Sequence, residues 1–262
     1  MPGRVVDPNQ ASFAMRVDAV NEALDPWSPL VSYVGNRGHM ISHNEVVLLD
    51  LGGFEMARPM KLYNHSLAPN PRRVRIFAAE KGIELMLEEV DILAGQCRTP
   101  EFLAKNSSGA VPVLELDDGS HLSESVAICR YLEGGHPEPN LLGRDLREQA
   151  EIERWNRRME IELFAAIGRT FQHTSPIFQD RLKQFPQYGE TQRALVYQRL
   201  ERMDRELNGH EFVAGDRFTI ADITALVAID IGGRLADIKI EPELTHLTRW
   251  YETVSSRPSA AA

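Results

Sequence analysis

The sequence predicts an α/β region built on a small mixed sheet, followed by an all-helical region. Three observations carry this. From Met60 to Glu133, short alternating apolar stretches take turns with helical periodicities. Residues 134–145, GGHPEPNLLGRD, are dense in glycine and proline and read as a linker. Beyond them the long patterned stretches repeat at helical spacing, so further strands are not expected there.

Residues 1–59 read differently. They scatter proline, glycine and asparagine among short apolar fragments, with NEVVLLDLGGF as the one strand-like piece. The expected organisation is an atypical extension over 1–59, an α/β domain over 60–138 and a helical domain over 146–258. The extension is read as unstructured or added by an early start codon; an N-terminal module with its own role is the alternative.

The elements follow in order. MKLYNH (60–65) is strand-like. Asn70 has the chemistry of a helix cap, and Pro71 suits a first helical position, where its missing N–H costs nothing. Val74, Phe77, Ala78 and Lys81 share one face of that helix, and Gly82 closes it. ELMLEEVDI (84–92) is a second strand. TPEFLAKN (99–106) is a short helix capped by Thr99, with Pro100 first inside. VPVLELDDGSHL (111–122) is a hairpin turning at Asp118-Gly119. SESVAICRYLE (123–133) is a third helix, with Ser123 as its natural cap. This βαβαββα order, with helices covering a mixed four-stranded sheet, is the thioredoxin-like layout. In the helical region, 146–172 and 188–208 are long and amphipathic. DRFTIADITALVAIDIGG (216–233) pairs Thr219 with Asp222 as a capping box before an apolar helix, and LTHLTRWYETVSSRP (244–258) is the last helix.

Composition narrows the function classes. A chain of 262 residues can bury two cores, and 43% hydrophobic with 26% charged residues is ordinary for a soluble globular protein. The net charge of −9 argues against nucleic acid or an anionic membrane as a general partner. No apolar run is long enough to span a bilayer, and the N-terminus lacks a secretory pattern. The two cysteines, Cys97 and Cys129, have neither CxxC nor Cys/His metal spacing. Neither a metal site nor a disulfide framework is expected, and a reducing, cytoplasmic setting fits.

Two short segments carry chemistry. Pro112 pushes Val111 into an extended conformation. A cis bond between them would leave the Val111 amide and carbonyl free to pair with an extended peptide, as a sheet edge does. A plain strand-initiating proline is the alternative. Glu124 and Ser125 then stand in the first turn of a helix, where free N–H groups and a hydroxyl suit a carboxylate and Glu124 suits an ammonium. A capped helix with a dipole-friendly glutamate is the alternative.

With those features placed, EFLAKNSSGAVPVLELDDGSHLSESVAICRYLE (101–133) resembles the glutathione-site segment of cytosolic glutathione transferases. FVAGDRFTIADIT (212–224) resembles the signature of their helical domain, and the likeness extends over about 60–258. The resemblance implies a transferase, usually a homodimer, that adds glutathione to a small apolar electrophile in detoxification-type chemistry. It implies that Val111 and Pro112 hold the cysteinyl part, that Glu124 and Ser125 hold the γ-glutamyl end, and that Arg98 lies near the glycyl carboxylate. Cys97 stands where a histidine is common, and Ser107 replaces a common proline. The helix at 153–176 and the chain near 226–235 would line the second-substrate pocket.

The thiol-activating residue departs from the family pattern. Ala68 occupies the serine position, and Tyr63 lies one residue off the tyrosine position, facing the other way in a strand. In this respect the sequence is similar to the atypical yeast-type glutathione transferases and their bacterial relatives, in which a water held by the helical domain assists the thiol. His173 matches one histidine of that group, whereas Gly168 stands at a serine. The remaining activation candidates are Ser66, Asn70, His173 and helix N-terminal amides. Capping alone accounts for Asn70, a loop role for Ser66 and a surface or interface role for His173. Two rival functions stay open: a non-catalytic glutathione-binding or scaffold module, and a glutathione-dependent thiol-disulfide reductase, which would need a cysteine at the start of the first helix.

Overall fold

The structure, a computed structural model, describes residues 60–262 and, before them, two short strands, β1 (Met40–Ser42) and β2 (Glu45–Val47). These two pair antiparallel, Met40 opposite Val47. β2 falls in the strand-like NEVVLLDLGGF. The other expectations for 1–59 lie outside the described residues.

The larger unit holds a four-stranded sheet of β3 (Met60–Asn64), β4 (Leu85–Glu89), β5 (Val113–Glu115) and β6 (His121–Ser123). The spatial order is β4-β3-β5-β6, with β3–β4 parallel and the other two pairs antiparallel. Strand alternation sorts the side chains. Leu62 and Leu114 pair across β3 and β5 and join the main core, whereas Tyr63 and Val113 join a second cluster with Val90, Cys97, Phe102 and Val111.

Helix α1 (Pro69–Glu80) connects β3 to β4. Val74, Phe77 and Ala78 are buried as expected, and Gly82 takes a positive φ just past the helix end. Lys81 is buried too. Its ammonium meets Glu133 at 2.6 Å and donates to the carbonyls of His136 and Pro139. The cap expectation fails here: Ala68 is the extended N-cap, Pro69 is the first helical residue, and Asn70 lies one position inside. Pro69 presets the helical φ two residues earlier than Pro71 would.

Thr99 caps the short helix α2 (Pro100–Leu103), accepting from the Phe102 amide at 3.3 Å. Asp118 and Gly119 make the β5–β6 turn, with Gly119 at φ +79° and Asp118 Oδ1 accepting from the Ser120 amide and hydroxyl. Helix α3 (Ser125–Gly135) corrects a second cap. Ser123 is the last residue of β6, and Glu124 is the N-cap at φ 72°, ψ 112°.

The expected 146–172 helix is one run in three pieces: α4 (Leu146–Arg158), a π-helical turn (Met159–Phe164) and α5 (Ala165–Thr174). Then come α6 (Pro186–Glu206), α7 (Ile220–Ala236) and α8 (Thr245–Ser255). Helix α7 is buried nearly all round, as its apolar sequence requires. The main core is continuous from Leu62 in the sheet to Val254 in α8, so sheet and bundle share one apolar interior. The capping box forms. Thr219 Oγ1 accepts from the Ala221 amide, and Asp222 Oδ2 accepts from the Thr219 amide at 2.9 Å. Among the described residues, no helix is long and apolar enough to cross a membrane.

Candidate functional site

A cleft lies where the start of α1, the loop before β5 and the start of α3 converge. Asn70, Asn106, Ala110, Val111, Pro112, Glu124 and Ser125 line it. Five of the eight residues singled out from sequence are therefore neighbours.

The Val111-Pro112 bond is cis. Among the described residues, neither the amide nor the carbonyl of Val111 takes part in a hydrogen bond, because the β5–β6 ladder begins only at Val113. Asn106 shapes the loop that leads there. Its Nδ2 donates to the Ala110 carbonyl at 2.8 Å, and its Oδ1 accepts from the Ser108 amide and hydroxyl. Gly109 sits at φ +61°, where a Cβ would stand 2.8 Å from the Cys97 carbonyl oxygen. Gly109→Ala is expected to lower stability by about 1–3 kcal/mol through this strain and overlap, read as a shifted urea midpoint.

Glu124 is exposed, and among the described residues its carboxylate has no hydrogen-bond or ion-pair partner. Its positive φ is uncommon for a side chain of this type and is held by the tight passage from β6 into α3. Ser125 is buried at the first position of α3, and its Oγ accepts from Arg73 Nη1 at 2.8 Å. With one lone pair so occupied, the hydroxyl proton is available to a ligand acceptor.

The N-terminus of α1 is short of donors. Pro69 and Pro71 have no N–H. The Ala68 amide donates to the His65 carbonyl at 2.9 Å, and the Arg72 amide donates to the Ala68 carbonyl at 3.3 Å. The donors remaining in this turn are the backbone N–H of Asn70 and its side-chain amide, neither with a partner among the described residues.

The other three residues lie elsewhere. Ser66 is exposed outside the cleft lining, its amide donating to Glu89 and its carbonyl accepting from Arg75. Arg98 is exposed beside the loop, donating to the Ser108 carbonyl at 3.3 Å and packed on Gly109. His173, near the end of α5, accepts at Nδ1 from the Phe185 amide at 3.1 Å and lies against Tyr188. That bond ties the start of α6 to α5. Tyr63 faces away, as strand alternation requires, and its hydroxyl donates to Glu115 at 2.7 Å.

Sequence reasoning passed over Asn106 and gave Arg73 no role of its own. Asn106 had a signal, an Asn three residues before a glycine that turns the chain. Arg73 had one too, as a charge beside the apolar positions Val74 and Phe77.

A second cleft lies between the turn before α1 and α7. Leu67, Pro69, Arg72, Val227, Asp230, Ile231 and Arg234 line it. Arg72 pairs with Asp230 at 2.6 Å, and the Tyr251 hydroxyl donates to the other oxygen of Asp230 at 2.7 Å. Val227, Asp230, Ile231 and Arg234, from the stretch near 226–235, contribute to this cleft. The 153–176 stretch does not line this one, because the π-helical turn packs instead on α7 and on Arg73.

Among the described residues, no group of three or more His, Cys, Asp or Glu side chains is arranged to hold a metal. Both cysteines are buried. Burial pushes the Cys97 thiol above its usual pKa and the Cys129 thiol up to about 12. Neither is expected to react with iodoacetamide near neutral pH in the folded chain, and both are expected to react in urea, counted by mass spectrometry.

Comparison with known proteins matches the family model "Glutathione S-transferase, N-terminal domain" to residues 68–134 and "Glutathione S-transferase, C-terminal domain" to residues 156–258. Glutathione S-transferase 2 of Saccharomyces cerevisiae is 35% identical over 79% of this chain and 91% of its own. The crystal structure of Gtt2 from the same yeast superposes with a TM-score of 0.71 at 34% identity, covering 76% of this chain and 97% of that one. A glutathione S-transferase domain-containing protein of Marinobacter aquaeolei does so with a TM-score of 0.71 at 38% identity, covering 76% and 98%.

Proposed function

This chain belongs to the glutathione S-transferase family, and from that premise we propose that it conjugates glutathione to small apolar electrophiles. One observation carries the reading: the unpaired Val111 peptide, the free Glu124 carboxylate and the Ser125 hydroxyl line one cleft with the donors of Asn70. In this reading the Val111 peptide pairs with the cysteinyl backbone of glutathione. Glu124 pairs with the γ-glutamyl ammonium, and Ser125 donates to the carboxylate beside it.

The thiol is placed toward the start of α1. A free cysteine thiol has a pKa of about 8.5, so donors are needed to enrich the thiolate near neutral pH. The Asn70 amide and side chain supply them here. Ser66 lies outside the cleft lining and His173 accepts from the Phe185 amide, so neither is given a catalytic part, and Arg98 supports the loop before β5. The thiolate attacks the electrophilic carbon, the C–S bond forms, and the leaving group departs with its electron pair. Pre-orientation of both partners supplies much of the rate, with thiolate stabilisation adding to it. The α7 cleft beside Leu67 and Pro69 is the proposed seat of the electrophile. A homodimer is proposed from family habit, and sedimentation equilibrium reads it directly.

Retention on immobilised glutathione, followed by turnover of a chloronitrobenzene, tests the function. Both are expected. Retention with no turnover across an electrophile panel would favour the scaffold module instead. The reductase reading loses support because α1 opens with no cysteine and both cysteines are buried.

A further inference from the structure

The cleft beside α7 carries an unbalanced charge. Its charged side chains are Arg72, Asp230 and Arg234. Asp230 is occupied at both oxygens: Oδ2 meets Arg72 at 2.6 Å, and Oδ1 accepts from the Tyr251 hydroxyl at 2.7 Å. Arg72 is engaged on its other nitrogen too, since Nη2 donates to the Ala260 carbonyl at 2.9 Å. This pair cancels, and the cleft keeps the charge of Arg234.

Arg234 stands in the last turn of α7 and has no ion-pair partner among the described residues. The acid that follows it, Asp237, pairs with Lys239 at 3.0 Å instead. Arg234 Nη2 donates to the Leu67 carbonyl, which holds the guanidinium at the cleft. Its other N–H donors remain, in the fork geometry that suits a carboxylate. A cation in a last helical turn also suits the helix dipole, but that role requires neither a cleft nor an anchor on a distant turn. The rest of the lining is apolar, from Pro69, Val227, Ile231 and Leu67, and Leu67 is 62% exposed. A bare apolar side chain beside a cleft is stabilised when a ligand covers it.

We propose that Arg234 selects the electrophile: the cleft takes one with an apolar body and a carboxylate, and Arg234 pairs with that carboxylate. This rests on the transferase reading above and on the α7 cleft as the electrophile's seat. An anchor remote from the reacting carbon binds ground state and transition state alike, so its contribution falls on KM.

Two probes that differ in charge test this: a chloronitrobenzoate, ionised near neutral pH, and its neutral methyl ester. With either, the thiolate attacks the carbon bearing chlorine, the C–S bond forms, and chloride leaves with its electron pair. Arg234→Gln is expected to lower kcat/KM about tenfold for the acid, chiefly through KM, and less than about twofold for the ester. Arg234→Lys keeps the cation without the fork and is expected to lose about threefold on the acid and nothing on the ester. Thermal melting reports whether each variant folds, and Arg234→Lys gives the readout if Arg234→Gln does not. Equal losses on both probes, or an unchanged rate on the acid, would show that Arg234 only braces the Leu67 turn and overturn the inference. A wild-type chain that converts the ester but not the acid would also overturn it, with the transferase reading left standing. If the wild-type chain converts neither probe and no chloronitrobenzene, the transferase reading falls, and this inference falls with it.

Discussion

Asp222→Ala is expected to lower the unfolding free energy by about 3–5 kcal/mol and the melting temperature by about 10 °C, since each kcal/mol moves a domain of this size by about 2–4 °C. As a helix cap alone, the side chain would be worth about 1 kcal/mol. Packing gives it more partners. Its Oδ1 accepts from the Val213 amide and from Trp250 Nε1, both at 2.8 Å, while Oδ2 accepts from the Thr219 amide at 2.9 Å. Trp250 belongs to α8 and is fully buried, so one carboxylate ties a loop, the start of α7 and α8 together. Truncation strands three buried donors. Asp222→Asn retains one acceptor and is expected to lose about half as much. A loss below about 1 kcal/mol for the alanine variant would show that the region rearranges to satisfy those donors.

The pH dependence of this residue has a defined sign. Burial pushes its pKa up to about 6, against about 3.9 in an unfolded chain. Between those values the folded state holds more protons than the unfolded state, so the stability due to this group falls as pH rises and levels off above about 6. The advantage of wild type over Asp222→Asn should therefore widen as pH drops from 7 toward 4, followed by urea melts. An advantage that narrows over that range would contradict the raised pKa.

Glu124→Gly should separate binding from stability. The exposed carboxylate is the group proposed to pair with the ligand ammonium, and a charge-assisted hydrogen bond is worth about 1.5–3 kcal/mol, or about 10- to 150-fold in affinity. The same residue stands at φ 72°, which glycine adopts freely. The variant should bind glutathione at least about tenfold more weakly while melting no lower than wild type, and up to about 1 kcal/mol more stable. Glu124→Ala should lose the same affinity without that gain. Unchanged glutathione affinity in the glycine variant would remove Glu124 from the site. Calorimetry and thermal melting on the same preparations read both quantities.

Much of the fold is legible residue by residue. Strand alternation separates Leu62 from Tyr63, Gly82 and Gly119 sit at the positive φ that their turns require, and Thr99 and Thr219 cap the helices that follow them. The two cap errors are slips of two residues at α1 and one residue at α3, each with a local cause. Pro69 competes with Pro71 for the first turn of α1, and β6 runs through Ser123, leaving Glu124 to begin α3. Within the site, the Val111-Pro112 and Glu124-Ser125 pairs are legible because each is a short local device. Arg98 and His173 are expected from the family resemblance alone, and Ser66 only from its nearness to the start of the first helix. Arg98 and His173 bond to backbone groups outside the cleft, and the Ser66 backbone pairs with the side chains of Glu89 and Arg75.

By itself, then, the sequence determined the element order, the apolar faces, the turn glycines and the family likeness. All of these rest on residue spacing and backbone preference over a few positions. Only the tertiary structure decided that Arg73 lies buried under Ser125, 52 residues away, that Arg72 pairs with Asp230 across 158 residues, and that Asp222 satisfies Trp250 as well as its own helix. A buried polar atom must find a partner wherever packing brings one, and that choice is made between distant segments rather than along the chain.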